Sequence, residues 1–235
     1  MSNKKTIISN AIICGVLCLL GIFISTVNVT QTYLSVNAPF SNGNRNNQQV
    51  GLMLIIDDPV LANNLSSILT TLDKAEATAT FFFTGAAAIN NLELIKNIAS
   101  NHELGNYGFS NKTLNIADKN SITEEIQLSD ALIKSLTNVQ MKVFTPPLQV
   151  FNKHTLAMAD NLNYTTIIPT ERNATIDWQT ADSNLVLSYA TYNIQKGDII
   201  ALKPTVATMQ CFSQIISNYL TNGLNVTSLS HLFQL

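Results

Sequence analysis

The stretch VGLMLIIDDP, residues 50–59, decides how the rest of the chain is read. Its first seven residues are apolar or glycine without interruption, and two adjacent carboxylates and a proline follow. A strand with one face in water alternates apolar and polar residues. A continuous apolar run of this length marks a strand covered on both faces, as in a parallel sheet. Asp57 and Asp58 then stand at its carboxyl end. Buried there, they need an ionic partner, hydrogen bonds or a metal ion. They are equally suited to the start of the next helix, whose amino end favours negative charge. Spacing leaves both roles open.

Outward from this strand, apolar runs alternate with amphipathic stretches. Leu61, Leu65, Ile68, Leu69 and Leu72 follow helical spacing, and ATFFFTG (79–85) reads as a second buried strand. Leu92, Ile95 and Ile98 mark another helix. Ser121 with Glu124 three residues on forms a capping-box pattern before the stripe Ile122, Ile126, Ile133 and Leu136. Strands are expected near 142–144, 164–168 and 199–202, then a helix over about 208–220 that stops at Gly223, and a strand over 224–229. This order implies a parallel sheet covered by helices. Its regularity suits a (β/α) barrel, with a doubly wound sheet as the alternative. Barrels gather functional groups at the carboxyl ends of their strands. The later ends are read as His102-Glu103, Thr145-Pro146-Pro147, Asp177-Trp178 and Lys203-Pro204.

Composition narrows the class. Of 235 residues 46% are hydrophobic and only 12% charged, which excludes a charged disordered chain. A net charge of -2 excludes a strongly basic nucleic-acid binder. Three cysteines supply neither a disulfide scaffold nor a Cys-based zinc cluster. Lys4 and Lys5 precede an uncharged run, residues 7–27. At about 1.5 Å per residue it reaches roughly 31 Å, the thickness of a bilayer core. Residues 1–6 are therefore expected as a cytoplasmic tail and 7–27 as a transmembrane signal-anchor, with the domain outside or in the lumen. The alternative is a cleaved signal peptide and a secreted domain. Cys14 and Cys18 fall in this segment, leaving only Cys211 to the outer domain. Residues 28–49, with SNGNRNNQQ at their end, read as a flexible linker, and 50–235 as one domain. Asn-x-Ser/Thr triplets begin at Asn28, Asn64, Asn111, Asn163, Asn173 and Asn225. An Asn-rich chain produces such triplets by chance, and a glycosylating host would use them.

Six segments in order carry a resemblance. LIIDDP (54–59), ATFFFTG (79–85), NHELGNYGFSN (101–111), FTPPLQ (144–149), Asp177-Trp178 and GDIIALK (197–203) resemble the polysaccharide deacetylase family, the NodB-homology domain of carbohydrate esterase family 4. The resemblance covers residues 51–232. It implies a distorted (β/α) barrel and metal-dependent removal of acetyl groups from N-acetylated sugars such as chitin or peptidoglycan. On the matched positions Asp57 would be the general base, and Asp58 would bind zinc or a similar ion. Where the family has two further metal-binding histidines this chain has Tyr107 and Asn111. Thr145 stands for the arginine that orients the base, and Lys203 for the histidine that protonates the leaving amine. Four of these six groups are changed.

The changes bear on the chemistry. A catalytic zinc takes three protein ligands and a water. The matched positions offer one carboxylate, one phenol and one amide. His102 matches a non-ligand position of the family, His154 falls on a helix, and His231 lies near the carboxyl terminus. Bound zinc lowers the pKa of water from 15.7 to about 7, on the order of 12 kcal/mol of help in forming hydroxide. One carboxylate base contributes roughly 3–5 kcal/mol. The expectation is a catalytically impaired, deacetylase-like protein without a cofactor, binding N-acetylated glycan or serving as a structural wall or surface component. The alternative is an atypical zinc-dependent deacetylase, and the third a protein-interaction scaffold. Tyr107, Asn111, Thr145 and Pro147 are the candidate binding residues. Trp178 is read as core packing beneath the site or as a ring face for sugar. Lys203 is expected to pair with Asp177, in place of the family's Asp–His couple.

Overall fold

Strand β1 (Gln49–Ile56) lies inside the sheet, as its unbroken apolar sequence requires. In the computed structural model, which describes residues 38–171 and 177–235, it pairs in parallel on one edge with β2 (Thr80–Phe83) and on the other with β6 (Ile199–Leu202). β3 (Glu103–Asn106), β4 (Val143–Phe144) and β5 (Thr165–Thr166) extend the order to β5-β4-β3-β2-β1-β6. β7 (Asn225–Thr227) pairs with Gln49–Gly51, the first residues of β1. Every pairing between these strands is parallel. The helices are α1 (Leu65–Lys74), α2 (Gly85–Ile89), α3 (Leu92–Asn101), α4 (Lys119–Thr137), α5 (Lys153–Asn161), α6 (Ser183–Thr191), α7 (Val206–Thr221) and α8 (Leu229–Phe233).

Alternation along β1 separates two apolar layers. Leu52, Leu54 and Ile56 join Ile68, Leu72 and Ile215 in the layer shared with the helices. Met53 and Ile55 join Phe82, Tyr107, Val143, Ile199 and Leu232 in a second cluster enclosed by the curled sheet. The result is a parallel α/β fold of the (β/α) barrel type. Gly51 lets α8 approach its amino end, because a Cβ there would lie 2.8 Å from Leu232 Cδ2 and 2.9 Å from Leu229 Cδ2.

Residues 38–49 depart from the flexible linker expected of them. Phe40 N–H donates to the Thr166 carbonyl and Ile168 N–H to the Phe40 carbonyl, both at 2.9 Å. Gly43 N–H donates to the Gly197 carbonyl at 2.7 Å. Arg45 reaches the carboxylate of Asp198 at 3.2 Å. The segment thus ties the β5 edge to the start of β6. It is held chiefly by backbone bonds and one guanidinium, so it carries no hydrophobic period.

Other elements differ from expectation in instructive ways. α4 starts before Ser121, because the Asp118 carboxylate accepts the N–H groups of Asn120 at 2.9 Å and Ser121 at 3.0 Å. The strand read over 224–229 is β7 followed by α8. β3 lies where no strand was marked, and His102-Glu103 stand at its start rather than its end. Gly223, at φ +71, follows α7 as read. The tail 1–6, the segment 7–27, Cys14, Cys18, Asn28, residues 28–37 and Asn173 lie outside the described residues. Among the described residues no helix is long and apolar enough to cross a membrane.

Candidate functional site

The register between β1 and β6 pairs Leu54 with Leu202, so the two strands deliver Asp57 and Lys203 to the same end of the sheet. Lys203 Nζ lies 2.5 Å from Asp57 Oδ2, and their side chains are only 18% and 8% exposed. This corrects the pairing of Lys203 with Asp177 expected from sequence. Asp177 is buried and accepts the main-chain N–H of Lys203 and, at 3.3 Å, the hydroxyl of Thr208. It holds the root of the lysine while the ammonium goes to Asp57. Nζ also lies 5.8 Å from the centroid of the Trp178 ring, within reach of a cation–π attraction. Trp178 is 49% exposed, so its ring is not core packing.

The loop after β3 is built by residues that spacing did not single out. Asn106 is fully buried. Its amide donates to the Ile126 carbonyl at 2.9 Å and to the Tyr164 hydroxyl at 3.2 Å, and its Oδ1 accepts Gly108 N–H at 2.9 Å. Glu125 Oε2 accepts the N–H groups of Phe109 and Ser110, both at 2.8 Å, and Oε1 takes the Ser110 hydroxyl at 2.5 Å. The Phe109 ring rests on Gly85, where a Cβ would lie 2.3 Å from it. The signal that finds Glu125 is its place on the buried face of α4, one residue before Ile126.

This clamped loop presents Tyr107 and Asn111. Asn111 has a left-handed backbone (φ 56), and its Nδ2 is turned toward Asp57 Oδ2 at 3.5 Å. The Tyr107 hydroxyl accepts Leu148 N–H at 3.0 Å. Burial pushes its phenol up to about 12, and the charge of Asp57 acts in the same direction. Beside Tyr107 and Leu148 lies a cleft of about 240 Å³, walled also by Ile55, Gln149, Trp178 and Lys203. Leu148 and Gln149 have φ of 55 and 58, unusual for residues with a Cβ. Pro147 is buried behind them against Gly108, a packing role rather than the binding role expected. Thr145 is fully buried, and its hydroxyl and Asn111 Oδ1 have no hydrogen-bond partner among the described residues. Buried polar atoms without partners are uncommon and point to a further group.

These residues do not fit a catalytic zinc. Asp58 is exposed, and its Oδ1 accepts Val60 N–H at 2.9 Å, capping the 3-10 turn Pro59–Asn64. Tyr107 holds its proton, and the Asp57 carboxylate faces an ammonium. His102 lies at the opposite end of the sheet, His154 is on α5 and His231 on α8. Among the described residues no group of three or more His, Cys, Asp or Glu side chains gathers to hold a metal. A hollow of about 330 Å³ beside His102 and Glu103 lies at that opposite end. There the Glu103 carboxylate is occupied by the Thr80 hydroxyl at 2.5 Å, Ser230 N–H at 3.0 Å and the Ser230 hydroxyl.

Known proteins share this sequence and architecture. The profile of the family described as polysaccharide deacetylase matches residues 44–167, just over half of the chain. The Bacillus subtilis protein YlxY is 27% identical over 169 residues, covering 72% of this chain and 52% of that protein. The peptidoglycan-N-acetylmuramic acid deacetylase PdaA of Bacillus subtilis is 26% identical over 136 residues, 57% of this chain and 51% of PdaA. The chain thus spans about half the length of these relatives. Among solved structures, a CE4-family pseudoenzyme from Bacillus anthracis has a TM-score of 0.78 at 27% identity, with 83% of this chain and 68% of that chain covered. The strand-end aspartates, the clamped loop and the family profile lead to one assignment: the chain is a divergent member of the polysaccharide deacetylase family.

Proposed function

We propose that this domain binds an N-acetylated glycan of the chitin or peptidoglycan type in the cleft beside Lys203 and Trp178, without the metal-assisted hydrolysis of active relatives. The observation that carries the reading is the Lys203 ammonium on Asp57, 2.5 Å away, where a hydrolase needs a free base. The half-exposed Trp178 ring on the cleft wall supports a sugar face, and Gln149 and Lys203 on the same wall support its polar groups. A relative described as a pseudoenzyme, with a mutant described as having restored enzymatic activity, supports both the loss and its reversibility.

Titration calorimetry with chito-oligosaccharides and peptidoglycan fragments tests the reading. Binding should weaken in Trp178→Ala, and no acetate should be released. Silence toward both glycan classes would overturn it. Stoichiometric zinc with acetate release that is lost in Asp58→Ala would establish an atypical enzyme instead. Combining Tyr107→His, Asn111→His, Thr145→Arg and Lys203→His should bring acetate release back. We further propose that residues 7–27 anchor the domain on the outer side of a membrane. Fractionation of cells carrying the full chain should place it with membranes, and a soluble full chain would remove this part of the proposal.

A further inference from the structure

One oxygen each of Asp57, Asp58 and Tyr107 already faces a proton donor. Asp57 Oδ2 meets the Lys203 ammonium at 2.5 Å, with the Asn111 amide turned to the same atom at 3.5 Å. Asp58 Oδ1 takes Val60 N–H, and the Tyr107 oxygen takes Leu148 N–H. Lys203 is not a loose surface lysine. Its main-chain N–H is held by Asp177, its side chain is 18% exposed, and its ammonium lies 5.8 Å from the Trp178 centroid. We infer that Lys203 is a resident cation, which neutralises Asp57 and keeps divalent ions out of the site.

The physical argument concerns what Asp57 does without it. A carboxylate that is 8% exposed and has lost its counter-charge must draw in water or recruit another cation. The Asn111 amide lies beside Asp57, with Nδ2 at 3.5 Å, and its Oδ1 has no partner among the described residues. A carboxylate and an amide oxygen are hard donors, which suit manganese or calcium rather than zinc. Removing one positive charge, with no histidine added, therefore opens the site to such an ion. This inference is independent of whether the cleft holds a glycan.

The test is manganese alone, added to the full chain and followed by calorimetry and thermal melting. Wild type and Lys203→Arg, which keeps the cation, should show no melting shift with manganese. Lys203→Met should melt lower than wild type, regain part of the loss with manganese, and bind it at least about tenfold more tightly. The double variant Lys203→Met with Asp57→Asn should lose that response. Lys203→Gln serves as a second neutral variant if the methionine chain fails to fold. Manganese uptake by wild type that disappears in Asp57→Asn would overturn the inference. So would folded neutral variants that ignore the ion.

Discussion

Lys203 Nζ and Asp57 Oδ2 meet at 2.5 Å across the seam between β6 and β1, with both side chains largely withdrawn from water. Removing either partner leaves the other charge unpaired in that setting. Lys203→Met and Asp57→Asn should each lower unfolding stability by about 3 kcal/mol. The double variant should lose clearly less than the sum, since the second change removes the orphaned charge. Urea denaturation of the four chains measures the coupling, and strict additivity would contradict an energetically real pair.

Glu125 should govern the loop that carries Tyr107 and Asn111. Its carboxylate accepts two main-chain N–H groups and a hydroxyl. Glu125→Ala leaves those donors to solvent or unsatisfied, at about 2 kcal/mol. Amide hydrogen exchange at Phe109 and Ser110 should rise well above the change seen in α4 itself. Uniform loosening of the whole chain would point to a general rather than a local role.

The strap over residues 40–45 should be sensitive to Gly197. That glycine has φ +79, and a Cβ on it would lie 2.7 Å from the Gly43 carbonyl oxygen. Gly197→Ala combines a left-handed backbone penalty with a clash against main chain, together about 2–4 kcal/mol. The control is Gly223→Ala, which has φ +71 but nothing within 4 Å. It should lose only the backbone part. Equal melting shifts for the two would count against a close-packed strap.

His102 should shape the acid side of the stability profile. Burial holds its imidazole below the ordinary value of 6.5, and the charge of Asp73 only partly offsets this. Its ring packs on Phe81 at 5.2 Å between centroids, and its buried Nδ1 has no partner among the described residues. A depressed histidine pKa means that the folded state prefers the neutral ring. Its contribution is therefore complete above 6.5 and falls away as the pH drops through the lowered folded value. His102→Gln should flatten the fall of the melting temperature as the pH drops below 6.5. An unchanged acid limb would assign that limb to other groups.

Much of the architecture is legible residue by residue. The runs at 50–56 and 199–202 correspond to β1 and β6 within a residue, because a strand buried on both faces writes an uninterrupted apolar word. β3 escaped because ELGN begins and ends with polar residues, which are satisfied largely by distant partners. Glu103 is occupied by Thr80 and Ser230, and Asn106 by Ile126 and Tyr164. The Ser121 capping signal yielded to Asp118, a stronger acceptor that ends up closer to the first free N–H groups. Pro147 turns inward, and of the two readings of Trp178 the structure selects the outward ring.

From sequence alone came the alternation of buried strands with helices around β1, the strand-end position of Asp57 and Asp58, and, through the family resemblance, the expectation that Tyr107, Asn111, Thr145 and Lys203 stand at changed positions. These are local matters of residue type and spacing. Only the tertiary structure chose Asp57 over Asp177 as the partner of Lys203, and turned part of an apparent spacer into a tie between β5 and β6. Both outcomes depend on the register between strands far apart in the chain. Proximity in space, unlike periodicity, is not written in neighbouring letters.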